Sequence, residues 1–325
     1  MWPLIKILPV KTNFQFVQFA RYAAILSAIA VVASLAKALI PFAPPCGGLN
    51  CGIDFKGGTV LELSTAPRAV DLSKLRASVD RMALGDVQVQ AFGAPTEALV
   101  RFQTPAGANP AQTVDKVKAT VREALGQVEF ERTDVVGPKV SGELFVSGIL
   151  ALGLSILLML IYIWFRFELQ FGIGAVVALF HDVFLTFGII AFFRLEFSLT
   201  TVAAILTVIG YSMNDTVVVF DRLRENLRKY KRMPLREVID LSINETLSRT
   251  VITGLTALLA LAGLAIFGGP TLFGMSLVLM FGIVIGTYSS IYVAAPVILL
   301  WGVKRGDEPA EPVKPATVRL QGRGP

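Results

Sequence analysis

The sequence predicts an α-helical membrane protein: six transmembrane helices plus one extracytoplasmic α+β, ferredoxin-like (βαββαβ) domain between helices 1 and 2. Three observations carry this. The chain is 54% hydrophobic and only 17% charged, too apolar for a soluble protein of 325 residues. Apolar runs of about 20 residues, the length that crosses a bilayer, recur six times. Between the first and second runs lies a stretch of ordinary charge content with its own strand and helix signals. The net charge of +6 does not imply nucleic acid, because Lys and Arg collect on cytoplasmic loops and meet anionic lipid there.

Residues 1–19 read as a cytoplasmic arm with Lys6, Lys11, Trp2, Ile5, Phe14 and Phe16 at the inner membrane surface. The first span is 20–40. It is longer than a signal-peptide core and no small-residue cleavage site follows, so it reads as an uncleaved helix. Cys46 and Cys51 come next. On an oxidising side they could form a short-loop disulfide; two free thiols are the equal alternative, since spacing does not give Cα geometry.

The domain is expected over 44–140. Ile53–Ser64 reads as a strand kinked at Gly57-Gly58. Asp71 can cap a helix that buries Leu72, Leu75, Val79 and Met82. Asp86–Phe92 and Glu97–Gln103 read as strands, with a turn at Ala94-Pro95. Asn109-Pro110 is an N-cap followed by Pro at the first helical position, opening a helix on Val114, Val117, Val121 and Leu125. Gln127–Val136 closes the βαββαβ order. About 100 residues can hold a small core.

Five further spans are expected at 144–165, 171–193, 197–220, 251–268 and 272–301, with a hydrophilic, helix-prone linker at 221–250 and a tail at 302–325. The linker is rich in Lys and Arg, as are the N-terminus and the stretch holding Lys304 and Arg305. Six spans put all three on one side, so N-in and C-in follow, with the domain outside.

Asp215 stands out in the fourth span. Asn214, Asp215 and Thr216 interrupt its apolar run, which resumes at Val217–Phe220. An ionisable group at that depth is costly and marks a functional candidate. The alternative is a helix that ends at Asn214. Arg249, with Thr253 and Thr256 on its face, opens the fifth span at a similar depth, so an Asp215–Arg249 pair is geometrically permitted; an ordinary cationic flank is the alternative. His181, the one histidine of the chain, and Asp182 lie within the third span, as a relay or as packing contacts. Adjacent helix positions diverge by about 100°, so the two need not touch. Gly282 and Gly286 form a GxxxG pair suited to close helix contact. The sequence has no phosphate loop, metal-ligand cluster or Ser–His–Asp pattern, so neither a cofactor nor an enzyme is expected.

Several stretches together resemble the SecD/SecF family of protein-export membrane subunits: GIDFKGGT at 52–59, DVVGPKVSGEL at 134–144, HDV at 181–183, VIGYSMNDTVVVFDRLREN at 208–226 and NETLSRTVITGLTALL at 244–259. The short insert favours the SecF branch, and the start at Met1 suits a stand-alone chain rather than a fusion. The resemblance implies a resistance-nodulation-division fold and half of a pseudo-twofold assembly with SecD. It implies a role in the Sec pathway of the bacterial inner membrane, where the proton gradient promotes late-stage preprotein translocation. Its expected partners are SecD, the SecYEG channel with accessory subunits such as YajC, preprotein and membrane lipid, with no nucleic acid. Carried over by motif, Asp215 and Arg249 belong to the proposed proton path, with Asn214 and Thr216 beside them. Gly57, Gly58, Gly137 and Pro138 are candidate hinges. A purely structural partner-positioning subunit and half of a proton-coupled efflux transporter are the competing readings.

Overall fold

The computed structural model describes residues 12–40, 45–85, 87–105 and 107–302. Most of the expected arm, with Trp2, Ile5, Lys6 and Lys11, lies outside the described residues, as do Asp86 and the tail with Lys304 and Arg305. In chain order the elements are α1 (Phe16–Leu39), β1 (Asn50–Cys51), α2 (Ile53–Lys56), β2 (Gly58–Ser64), α3 (Leu72–Asp80), β3 (Gln88–Phe92), β4 (Ala94–Phe102), α4 (Pro110–Leu125) and β5 (Glu129–Val136). Then come α5 (Pro138–Arg166), α6 (Leu169–Phe192), β6 (Glu196–Phe197), α7 (Leu199–Lys229), α8 (Leu235–Phe267) and α9 (Gly269–Ser289). A π-helical turn at Ser290–Ala294 leads from α9 into α10 (Ala295–Trp301). Among the described residues six helices are long and apolar enough to cross a membrane: α1, α5, α6, α7, α8 and the run Leu272–Trp301.

In the domain, β2 to β5 form one antiparallel sheet in the order β3-β4-β2-β5. Its core joins Leu61, Leu63, Leu75, Val79, Val100, Val117 and Val121. Asp71 caps α3 by accepting from the Lys74 N–H at 3.0 Å, and Asn109 caps α4 by accepting from the Ala111 N–H at 2.9 Å. Two local expectations fail. Residues 53–56 form a helical turn, not the start of a strand. There the Gly52 carbonyl accepts from the Phe55 and Lys56 N–H groups, and Gly57 and Gly58 at φ +72° and +121° redirect the chain into β2. The reversal between β3 and β4 falls at Gly93, at φ +72°, rather than at Ala94-Pro95. Pro95 instead sits in β4 where the register with β3 shifts, a place that tolerates a missing N–H.

The helix limits also differ from the apolar runs. α7 continues to Lys229 and α8 begins at Leu235, so only residues 230–234 remain of the linker expected at 221–250. Hydropathy finds the lipid-crossing part, whereas hydrogen bonding sets the helix ends. The polar extensions pack on each other: Arg222 pairs with Glu245 at 2.7 Å, and the Asn226 amide donates to Ser242 at 3.0 Å and Glu245 at 2.7 Å. Likewise α5 starts at Pro138, with Gly137 as its N-cap, before the apolar run begins.

Buried positions concentrate on α6, α7 and α9, whereas α1, α5 and α8 expose apolar side chains such as Ile29, Leu150, Leu154 and Leu259. A short base ties the domain to this bundle. Cys46 and Cys51 are joined as a disulfide, with Cα atoms 6.0 Å apart. β1 pairs with β6 in parallel, and the Asp54 carboxylate accepts from the Leu199 N–H at 2.9 Å, capping α7. Phe55 packs between Phe145 and Phe197, and Arg101 of β4 pairs with Glu196.

Candidate intramembrane carboxylate sites

α7 is one unbroken helix of 31 residues, so it does not end at Asn214. Asp215 is 3% exposed. One hydroxyl reaches it: Thr287 of α9 donates to Oδ2 at 3.3 Å. One turn earlier on α7, the Tyr211 hydroxyl is buried with no hydrogen-bond partner among the described residues. The hydroxyls of Thr216 and Thr250 are in the same condition. At Gly254 of α8 a Cβ would lie 3.7 Å from the Tyr211 hydroxyl and 3.9 Å from Thr287 Oγ1. The junction of α7, α8 and α9 therefore gathers a carboxylate, the Thr287 hydroxyl and the under-used Tyr211 hydroxyl. Such a carboxylate can gain or lose a proton without dismantling a network.

Arg249 does not touch Asp215, although its charge is within electrostatic reach of that carboxylate. Among the described residues no ion pair within 4.0 Å joins it to Asp215. On α8, Thr250 and Gly254 are buried, while Arg249, Thr253 and Thr256 are exposed. Thr253 and Thr256 instead donate to the Arg249 and Thr253 carbonyls of their own helix, at 2.8 and 2.9 Å. Asn214 is also exposed, on a stripe of α7 with Thr207 and Gly210. The placed residues thus divide, with Asp215 and Thr216 inward and Asn214, Arg249 and Thr253 outward.

His181 and Asp182 do touch. His181 Nδ1 lies 2.8 Å from Asp182 Oδ1, and both side chains are buried. Asp182 Oδ2 accepts from Ser212 of α7 and, at 2.6 Å, from Ser289 of α9. His181 Nε2 is 3.2 Å from Ser27 Oγ of α1, which is 3.0 Å from the Tyr288 hydroxyl; that hydroxyl donates to the Ala23 carbonyl at 3.1 Å. The pair thus binds α1, α6, α7 and α9 together.

The GxxxG pair sets the spacing that allows this. A Cβ on Gly282 would run into Val208, and one on Gly286 would lie 2.9 Å from Ser212 Cβ. Close approach of α9 to α7 brings Ser212 and Ser289 to one carboxylate oxygen. The sequence analysis missed the stretch Thr287-Tyr288-Ser289-Ser290, which serves both carboxylates. Its signal was four hydroxyls in a row inside an apolar span. Directly after it the helix widens into the π-turn, a feature common at functional sites.

These features define a multi-span helical membrane protein with two buried carboxylates in its helix core and one α+β domain between its first two spans. Two family models match the chain: SecD/SecF GG motif over residues 47–67, and protein export membrane protein SecD/SecF, C-terminal, over 116–304. The chain belongs to the SecD/SecF family of protein export membrane proteins. It is 44% identical over 324 residues to the protein translocase subunit SecF of Rhodobacter capsulatus, covering 95% of each chain. It is 39% identical to that of Rickettsia rickettsii, covering 93% of this chain and 96% of the relative. The crystal structure of SecDF, a translocon-associated membrane protein from Thermus thermophilus, superposes with a TM-score of 0.74 at 33% identity; the match covers 91% of this chain and 39% of that one.

Proposed function

We propose that this chain is a non-enzymatic subunit of the Sec export machinery. With SecD it uses the proton gradient to promote late-stage preprotein translocation across the bacterial inner membrane. The observation that carries the reading is Asp215: a carboxylate buried within a membrane helix that receives, among the described residues, a single long hydrogen bond, from Thr287. Asp215 takes up and releases the proton, and Thr216 lies beside it. Arg249 and Asn214, exposed on neighbouring helices, complete the path once SecD covers the outward polar face formed with Thr207, Thr253 and Thr256. A polar face of this kind needs a protein partner, because lipid cannot satisfy it.

In this reading both termini and residues 230–234 are cytoplasmic and the α+β domain is periplasmic. Arg222, Arg224, Arg228, Lys229, Lys231, Arg232 and Arg236 near the α7–α8 turn support that orientation. SecYEG and YajC are the expected neighbours, and preprotein the substrate. Gly57, Gly58, Gly137 and Pro138 are the places where the domain turns on the bundle. One proton moving through about 100 mV releases roughly 2.3 kcal/mol, enough to shift a two-state orientation about fiftyfold.

The test is gradient-dependent translocation into inner-membrane vesicles, comparing the wild type with Asp215→Asn at equal abundance of the complex. Loss of the gradient-dependent part alone is expected. Translocation equal to wild type would remove Asp215 from the proton path.

A further inference from the structure

A count of hydrogens along one chain of contacts bears on the charge of the His181–Asp182 pair. The chain is Asp182 Oδ1, His181 Nδ1, His181 Nε2, Ser27 Oγ, Tyr288 hydroxyl and Ala23 carbonyl, with steps of 2.8, 3.2, 3.0 and 3.1 Å between residues. The last group can only accept, so Tyr288 gives it its single hydrogen. Ser27 must then donate to Tyr288, and Nε2 must donate to Ser27. The remaining contact needs a hydrogen too, on either Nδ1 or Oδ1. The pair therefore holds two hydrogens, one more than a neutral imidazole facing an ionised carboxylate.

In that state the pair has no net charge, whether it is imidazolium with carboxylate or imidazole with carboxylic acid. Removing the extra proton leaves a net negative charge in a buried site and deprives one of the four contacts of its hydrogen. Both effects favour keeping the proton. Ser212 and Ser289 hold Oδ2 in either state. The other titratable groups on elements packed around the pair are Tyr292 after α9, Tyr211 and Asp215 on α7, and Arg21, Tyr22 and Lys37 on α1. None of these is hydrogen-bonded to the pair among the described residues.

We propose that His181 and Asp182 form a second proton-binding site of the membrane bundle, which holds one dissociable proton and exchanges it through Ser27 and Tyr288. On release, the Nε2 hydrogen passes to Ser27, that of Ser27 to Tyr288, and that of Tyr288 to a water molecule that enters the bundle beside its half-buried ring. The pair is left as neutral imidazole and carboxylate, and reloading runs the steps in reverse. Asp215 belongs to a different set of contacts, but Thr287 and Ser289 lie two residues apart on α9. A shift of α9 at one carboxylate therefore moves a donor at the other.

The single histidine makes the site directly readable. The full chain, in lipid nanodiscs and purified with a histidine-free tag, is labelled with 15N-histidine and 13C-aspartate. NMR of both ring nitrogens and infrared spectra of the carboxyl group are followed from about pH 5 to about pH 9. The expected result is a doubly protonated ring, or a protonated carboxyl band that vanishes in Asp182→Asn, with that one proton lost at alkaline pH. A neutral ring facing an ionised carboxylate throughout would overturn the site. Tyr288→Phe and Ser27→Ala leave the pair in place and should slow its proton exchange at least tenfold; an unchanged rate would overturn the path. The same signals should persist in Asp215→Asn, so this result stands or falls separately from the role of Asp215.

Discussion

Asp182 and Asp215 are reached by hydroxyls two residues apart on α9, yet their surroundings differ. Asp182 accepts from Ser212 and Ser289 and contacts His181, so each oxygen has a close partner. Asp215 has Thr287 at 3.3 Å, while the Tyr211 hydroxyl one turn earlier has no partner among the described residues. A saturated carboxylate ties helices together, and losing it leaves several buried groups stranded. A sparsely bonded one contributes little to cohesion and changes protonation state on its own, whereas a proton at Asp182 is shared with His181. The same chemical group, at the same level of one bundle, is fastened in one place and kept loose in the other.

The comparison is broken or sharpened by substitution. The largest effect is expected for Asp182→Ala, which strands His181 and two serine donors; about 3–5 kcal/mol of stability should be lost, read as thermal unfolding in detergent. A loss no greater than that of Asp215→Ala would erase the distinction. Gly286→Val should cost about 1–3 kcal/mol by overpacking α9 against Ser212, and it should disturb Asp182 before Asp215. Thr287→Val should cost no more than about 0.5–1.5 kcal/mol, since it removes a single hydrogen bond. A larger loss would mean that the Asp215 site is as structural as the other.

The smallest effect concerns a carboxylate outside the membrane, as a reference for both. Burial in the sheet raises the Glu62 carboxyl above its ordinary range, and Arg132, 4.0 Å away, opposes that shift. The folded state therefore holds the Glu62 proton more tightly than the unfolded state does. Its contribution is fully present below the unfolded value and is lost as pH rises through the folded one. Glu62→Gln should flatten a shallow decline in domain stability between the unfolded and folded values. An unchanged pH profile would show that Arg132 compensates the burial.

Most of the architecture was legible because its causes are local. Six apolar runs, Asp71 and Asn109 as caps, and alternating strands each leave a signature within a few residues. Helix ends were less legible, since the polar continuations of α7 and α8 are stabilised by each other, through Arg222, Asn226 and Glu245. The buried position of Asp215 followed from the apolar run that resumes after it. The orientation of Arg249 did not, because depth along a helix says nothing about its rotation, and Gly254 rather than Arg249 turned out to face α9. The contact between His181 and Asp182 was likewise invisible: neighbours on a helix meet only when a third helix crowds both. Thr287 to Ser290 was overlooked because hydroxyls in apolar helices usually satisfy themselves on their own backbone.

The cap that Asp54 places on Leu199 has a mechanical consequence. From Leu199 to Asp215 the helix is unbroken for about 24 Å, at about 1.5 Å per residue. An α-helix resists compression along its axis far better than bending. In the proposed cycle α7 would act as a pushrod: its upper end is keyed to the domain by Asp54, and β6, which pairs with the disulfide-stapled β1, leads directly into it. Axial travel beside Asp215 would then arrive at the base of the domain as the same travel, with no slack loop to absorb it.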